Sequence, residues 1–409
     1  MAKNLRCFFC LERCKSYFLY YFCIVIRNQI NNKKMIRNMK KHAWVYYMVM
    51  MLILSACGQV KDGAEYLSKV SEVKEYEDGK LSSILESFDV VPLETDDDCL
   101  IGRVTAIKKR GGRYFVMSDM KNLHVFDAGG HFLFKVSNEG QGPGEYSGLC
   151  DFEADDRNIY LLDYKKMHLF DLNGKYLKTM PLEPSPRTIR LVEGGFLAFM
   201  DEAVDGNILA FLDKEGKVLQ TALKDEESVR LIRWTAWPEW KEGCYVYHAS
   251  YSKNLYVFDE DKQVFRTLDV TDHPDALSVD EYAEVEKYNR NQREMTGMIF
   301  DGFCSSSSQL FWGSITQGKI SFYVYDRKSD AVRSFSWADL EDDVTFTDGG
   351  LFNYIGSCNS DDEYLLSYMD ADQLKEAVEG RSGAYEAVYA KLKNVTEDHN
   401  PVIVRMKFR

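Results

Sequence analysis

Apolar and polar positions alternate in a unit that recurs along the chain. It reads NLHVFDAGGHFLFKV (122–136), KMHLFDLNGKYLKTM (166–180), ILAFLDKEGKVLQTA (208–222), NLYVFDEDKQVFRTL (254–268) and ISFYVYDRKSDAVRSF (320–335). Each is an apolar run, an aspartate, a polar or glycine-containing turn and a second alternating run, which is the pattern of a β-hairpin. The recurring aspartate suits a carboxylate that accepts from turn N–H groups. Two further strand-like runs precede the hairpin, RVTAIKK and RYFVMSD in the first copy, LCDFEAD and NIYLLDY in the second. Four strands about every forty residues predict the blade of a β-propeller.

Five hairpins are visible. A sixth blade is expected over TFTDGGLFNYIGSCNSDDEYLLSYMD (345–370) and PVIVRMKF (401–408), with ESFDVVPLE (86–94) pairing with the last strand to close the ring. Closure removes the exposed sheet edges that invite aggregation. The prediction is an all-β chain, a six-bladed β-propeller over residues 85–409 with short helical insertions. The insertions are SVDEYAEVEKYNRNQREM (278–295), opening with a Ser278–Glu281 capping box, and a helix–break–helix over 370–393. Both are expected to decorate one face.

The first residues lie outside this repeat. In MKKHAWVYYMVMMLILSAC (39–57), Lys40 and Lys41 precede an apolar run and the processing site Leu54-Ser55-Ala56-Cys57. The stretch resembles a bacterial lipoprotein signal, which makes Cys57 the expected lipidation site. The run is short for a transmembrane span. Residues 1–38 are expected to be an over-extended N-terminus, 39–56 the signal peptide and 57–84 a polar tether.

Charge changes the picture next. From Cys57 onward, 41 Lys and Arg stand against 63 Asp and Glu, a net charge of −22. Such a surface excludes nucleic acid as the expected partner, because phosphate contacts need clustered cations. Cys99, Cys150, Cys244, Cys304 and Cys358 follow Cys57 with no C-x-x-C spacing, which argues against zinc and against a full disulfide framework.

The loop SNEGQGPGEY (137–146) lacks the G-x-G-x-x-G spacing, the following helix and the lysine of a nucleotide cradle. It is expected to cross from blade 1 to blade 2. Gly142 and Gly144 then serve the crossing, and Ala at either is expected to destabilise by about 1 kcal/mol or more. A sharper reading puts Glu145 and Tyr146 at the channel mouth, where Glu145→Gln and Tyr146→Phe leave stability nearly unchanged.

The runs VPLETDDDCLIGRV (91–104), GQGPGEY (140–146) and HNPVIVRMKF (399–408) resemble the six-bladed β-propeller lipoproteins of Bacteroidetes, a group with NHL-like blades. The resemblance spans nearly all of residues 85–409. It implies the fold and a cell-envelope setting, and it carries no established reaction. Some NHL-type propellers are amidating lyases that hold zinc with channel histidines. Here His124 and His168 occupy equivalent hairpin positions, which suggests sheet surface, and no three-histidine set stands out. There is no G-x-S-x-G and no H-E-x-x-H. No motif calls for a cofactor or a metal.

Crossing loops and second-to-third-strand turns share one propeller face. The expected ligand-binding residues there are Glu145, Tyr146, Asp163, Lys165, Arg187, Arg233, Trp234, Tyr251 and Trp312. Tyr164, Asp201, Trp237 and Lys253 accompany them. Aromatics beside carboxylates and arginines suit stacking on sugars or clamping peptides, although blades also bury aromatics between sheets. RWTAWPEW (233–240) divides evenly between core and surface. The expected function is a lipid-anchored binding protein for a small molecule, glycan, peptide or envelope protein. The alternative is a lyase or hydrolase with its site in the channel.

Overall fold

The computed structural model describes residues 73–224, 239–241, 243–248, 254–269, 299–316, 319–346 and 363–409, all within one unit, Lys61–Arg409. The chain enters with β1 (Lys74–Glu75), a single helical turn α1 (Leu81–Ile84) and β2 (Leu85–Pro92). Blade 1 follows as β3 (Val104–Arg110), β4 (Arg113–Ser118), β5 (Asn122–Phe126) and β6 (Phe132–Val136). Blade 2 is β7 (Asp151–Ala154), β8 (Asn158–Asp163), β9 (Lys166–Asp171) and β10 (Tyr176–Pro181). Blade 3 is β11 (Pro186–Val192), β12 (Gly195–Val204), β13 (Asn207–Asp213) and β14 (Val218–Lys224). Blade 4 is β15 (Glu239–Lys241), β16 (Cys244–His248), β17 (Asn254–Asp259) and β18 (Val264–Asp269). Blade 5 is β19 (Ile299–Ser305), β20 (Gln309–Thr316), β21 (Lys319–Asp326) and β22 (Ala331–Ser336). Each is an antiparallel meander, and the six sheets make a six-bladed β-propeller.

The hairpin aspartates act as read from the sequence. Asp127 Oδ1 accepts from the N–H groups of Gly129 and His131 at 2.8 and 2.9 Å. Asp171 does the same for Asn173 and Lys175, and Asp213 for Glu215 and Lys217. These bonds hold the Asp127 and Asp171 carboxyls below the usual carboxylate range.

The sixth blade closes the ring. After β23 (Leu365–Met369) come the helices α2 (Ala371–Val378) and α3 (Ala384–Leu392), then β24 (Val402–Phe408). β24 lies between β23 and β2, and β2 runs antiparallel to it from Leu85↔Phe408 to Pro92↔Val402. Val402, Ile403, Val404, Met406 and Phe408 are wholly buried, so closure is also core formation. The two helices are more than decoration, since Leu374, Val378, Val388 and Leu392 pack into the same core cluster. The break between them carries Gly380 and Gly383 at φ +73° and +75°. The helix expected over 278–295 lies outside the described residues.

Two of the motif stretches meet at this seam. Asn400 donates from Nδ2 to the carbonyls of Glu94 and Cys99 at 2.7 and 2.9 Å, and its Oδ1 accepts from the Ile101 N–H at 2.8 Å. Glu94 in turn receives the Phe132 N–H and donates its own N–H to the Gly130 carbonyl. The closing strand is thereby tied to the entry of blade 1.

The tether expected over 57–84 is shorter than its composition suggested. β1 adds in parallel to the outer edge of β22, Tyr76 packs edge-on against Phe335, and Leu81 and Ile84 are wholly buried. The polar residues between these anchors hid the anchoring from a reading by composition.

Candidate functional site

Antiparallel meanders put the crossings between blades and the second-to-third-strand turns on one face. Residues 137–150 make the first crossing, from β6 to β7. The crossing is closed upon itself. Gly140 N–H donates to the Tyr146 carbonyl, Tyr146 N–H to the Asn138 carbonyl and Glu145 N–H to the Gly142 carbonyl. The exposed Glu145 spends its carboxylate on its own turn, accepting from the Gly142 N–H at 2.8 Å. Only Gly144 of the Gly142/Gly144 pair has a left-handed φ, +77°.

Tyr146 is a core residue, 1% exposed. Its hydroxyl donates to the Lys121 carbonyl at 2.7 Å, with the Val136 carbonyl at 3.1 Å, and it accepts from the Asn138 N–H at 3.2 Å. Its ring lies 6.0 Å from that of His168. The expectation that it faces a ligand is therefore corrected: the crossing needs an aromatic plug with a polar tip to pin three backbone groups. Trp312 is likewise wholly buried, stacked on Tyr323 at 5.3 Å. Strand alternation sends it between sheets rather than to a loop. Arg233, Trp234 and Tyr251, with Trp237 and Lys253, lie outside the described residues.

The remaining expected residues do come together. Asp163 ends β8, Lys165 and Tyr164 form the turn to β9, Arg187 is the second residue of β11 and Asp201 lies in β12. Arg187 Nη1 pairs with Asp201 Oδ1 at 3.3 Å, both side chains about two-fifths exposed. Tyr164 is 52% exposed, and Lys165 is exposed beside it. Among them sits Cys150, which its spacing in the sequence did not mark for any chemistry. Burial pushes its thiol up, the Tyr164 backbone and Arg187 oppose this, and Asp201 and Asp163 reinforce it. A thiol held protonated is a poor nucleophile.

Asp163 itself is buried. It accepts from the Ser147 hydroxyl at 3.2 Å and stands 3.6 Å from His168 Nε2, while His168 Nδ1 meets Thr179 Oγ1 at 2.9 Å. The Ser–Asp–His order is wrong for acyl transfer, since the serine meets the carboxylate and not the imidazole. Burial pushes the His168 imidazole down against the pull of Asp163, and it pushes His124 down to about 4. Both histidines are core residues, which corrects their expected place on the sheet surface.

A second polar cluster lines the inner strands. Lys108 on β3 reaches β7, where it meets Asp151 Oδ1 at 3.0 Å, Glu153 Oε1 at 3.1 Å and the Phe152 carbonyl. Asp151 Oδ2 accepts from the Ile189 N–H of β11 at 3.0 Å. Three inner strands are thus pinned through one ammonium and one carboxylate. Charged residues on inner strands were not singled out from the sequence, although KK in VTAIKKR and the acids in DFEA break those apolar runs. Among the described residues, no group of three or more His, Cys, Asp or Glu is arranged to hold a metal ion, and no helix is long and apolar enough to cross a membrane.

Comparison with known proteins follows the fold. A family model described as a domain of unknown function, DUF4934, matches residues 67–407. A solved protein of Bacteroides fragilis described as exported is 17% identical, with a TM-score of 0.63 over 82% of this chain and 99% of its own. A protein of unknown function from Bacteroides caccae is 8% identical, with a TM-score of 0.34 over 57% of this chain and 86% of its own. The extracellular domain of a one-component system from B. thetaiotaomicron is 10% identical, with a TM-score of 0.35 over 61% of this chain and 29% of its own. No curated protein matches the sequence.

Proposed function

The chain belongs to the DUF4934 family, and we propose that it is a binding protein of the cell envelope, anchored through a lipid on Cys57 and serving glycan or peptide handling. The NHL-like character of its blades and the lipoprotein reading belong to this proposal. The observation that carries it is the half-exposed Arg187–Asp201 pair beside the exposed Tyr164 and Lys165. An exposed ring on the same face as a paired guanidinium and carboxylate offers a stacking surface together with donors and acceptors. The protonated Cys150 thiol and the serine turned to a carboxylate favour binding over covalent chemistry. The exported relative from B. fragilis supports the setting.

Glycan and peptide arrays probed with the detergent-solubilised full chain test the face. Arg187→Ala and Tyr164→Ala are expected to abolish the strongest signal while melting stays unchanged. Retained binding in both variants refutes the site. Cys57→Ser is expected to move the protein from the membrane fraction to the soluble one, and continued membrane fractionation of the variant refutes the anchor.

A further inference from the structure

The inner-strand cluster is complete on one side and open on the other. Lys108 has three acceptors, and Asp151 has the Lys108 ammonium on one oxygen and the Ile189 N–H on the other. Glu153 is wholly buried, with Lys108 on Oε1 and, among the described residues, no partner on Oε2. Arg190, on β11, is 8% exposed, and its Nε and Nη1 have no hydrogen-bond partner among the described residues. Its guanidinium lies 5.9 Å from the centre of the Tyr245 ring on β16. A ring face compensates a cation only in part and leaves its N–H donors unsatisfied. Buried polar groups normally have partners, so such an arrangement marks a place where something else supplies them.

The chemistry of that partner follows from the atoms left over. Arg190 needs an acceptor, and a planar guanidinium is best matched by a carboxylate. Arg327, at the start of the β21–β22 turn, feels Glu239 more strongly than Arg190 and bonds the Glu239 carbonyl, so it is already matched and leaves Arg190 as the cation in want of an acceptor. Glu153 Oε2 needs a donor. Burial disfavours the charge on Glu153, but Lys108, Arg190 and Arg110 outweigh it and hold the carboxyl below its usual range, so it is an acceptor at neutral pH. A bare anion would meet the Glu153 carboxylate, and a bare cation would meet the Arg190 guanidinium. One molecule satisfies both ends if it carries a carboxylate and a hydroxyl.

We infer that the inner strands of blades 2 and 3, facing Tyr245 of blade 4, form a binding site for a small hydroxy-carboxylate of the acidic-sugar class, with its carboxylate on Arg190 and a hydroxyl donated to Glu153. This site is separate from the Arg187–Tyr164 surface, and the two stand or fall independently.

Isothermal titration of the detergent-solubilised full chain tests it with D-galacturonate, D-galactose and acetate as probes. Galacturonate is expected to bind at least about tenfold more tightly than either of the others, since each lacks one of the two matched groups. Arg190→Lys is expected to weaken galacturonate about tenfold or more, and Glu153→Gln to narrow its advantage over acetate. Lys178→Ala, on the outer strand of blade 2, is expected to change nothing. Equal binding of galactose, no galacturonate heat, or unaltered affinity in a folded Arg190→Lys variant overturns the inference. Should the variants fail to fold, a galacturonate soak of wild-type crystals decides. Sugar density on the Arg190 guanidinium supports the site, and an ordered water alone at Nε overturns it.

Discussion

Replacing Gly144 by alanine separates backbone geometry from loop chemistry in the first crossing. Gly144 has φ +77°, a conformation that costs an L-residue roughly 1–2 kcal/mol. A Cβ there would stand 2.6 Å from Cδ2 and 2.7 Å from Cγ of Tyr176. That ring has little room to retreat, since it packs edge-on against Phe170 at 5.8 Å and its hydroxyl meets Thr179 Oγ1 at 3.0 Å. Overpacking of this kind costs about 1–3 kcal/mol. The sum is about 2–5 kcal/mol, a large part of the stability of an ordinary domain. Gly142 differs, because it has no left-handed φ and the nearest atoms to its added Cβ are those of the exposed Glu145 carboxylate at 3.1 Å. Gly142→Ala is expected to cost under about 1 kcal/mol. Urea unfolding followed by tryptophan fluorescence gives both values, provided the slope m is unchanged. A Tyr176→Ala background should recover the steric part of the Gly144 penalty and leave the φ part. Gly144→Ala within about 0.5 kcal/mol of wild type, or Gly142→Ala the costlier of the two, would refute this reasoning.

Three further outcomes follow from the same contacts. Tyr146→Phe is expected to destabilise by about 1–3 kcal/mol in urea unfolding, because it strips the Asn138 N–H and the Lys121 and buried Val136 carbonyls of a partner; a neutral result would return the residue to the ligand-facing role. Asn400→Ala removes three side-chain hydrogen bonds at the seam and is expected to cost about 2–4 kcal/mol, and to raise proteolysis near residues 94–101. Acid should loosen the hairpin turns. The folded carboxyls of Asp127 and Asp171 are held below their unfolded value of about 4, so their contribution is full above that pH and is lost as pH falls through the folded value. Melting temperature measured between about pH 3 and pH 6 should fall less steeply in Asp171→Asn than in wild type; parallel curves would remove the turns from the acid response.

The sequence alone determined the repeat. Hairpin periodicity, the recurring aspartate and a left-over first strand are local or periodic signals, and local backbone chemistry reads the aspartate the same way in blades 1 to 3 and one residue shorter in blades 4 and 5. The pairing of β2 with β24 was legible because an unpaired strand at each end has few other ways to bury its apolar face. Only the tertiary structure decided which polar and aromatic side chains reach solvent. Tyr146 and Tyr164 look alike in sequence, but one fills the space beneath a crossing and the other stands out from a two-residue turn. Trp312 is hidden because facing sheets need volume there, and Cys150 joins Asp163, Arg187 and Asp201 because two blades converge. The Lys108, Asp151, Glu153 and Arg190 cluster is drawn from three strands with dozens of residues between them. Their alternation says only that each points to one side of its strand; the curvature of the ring brings those sides together.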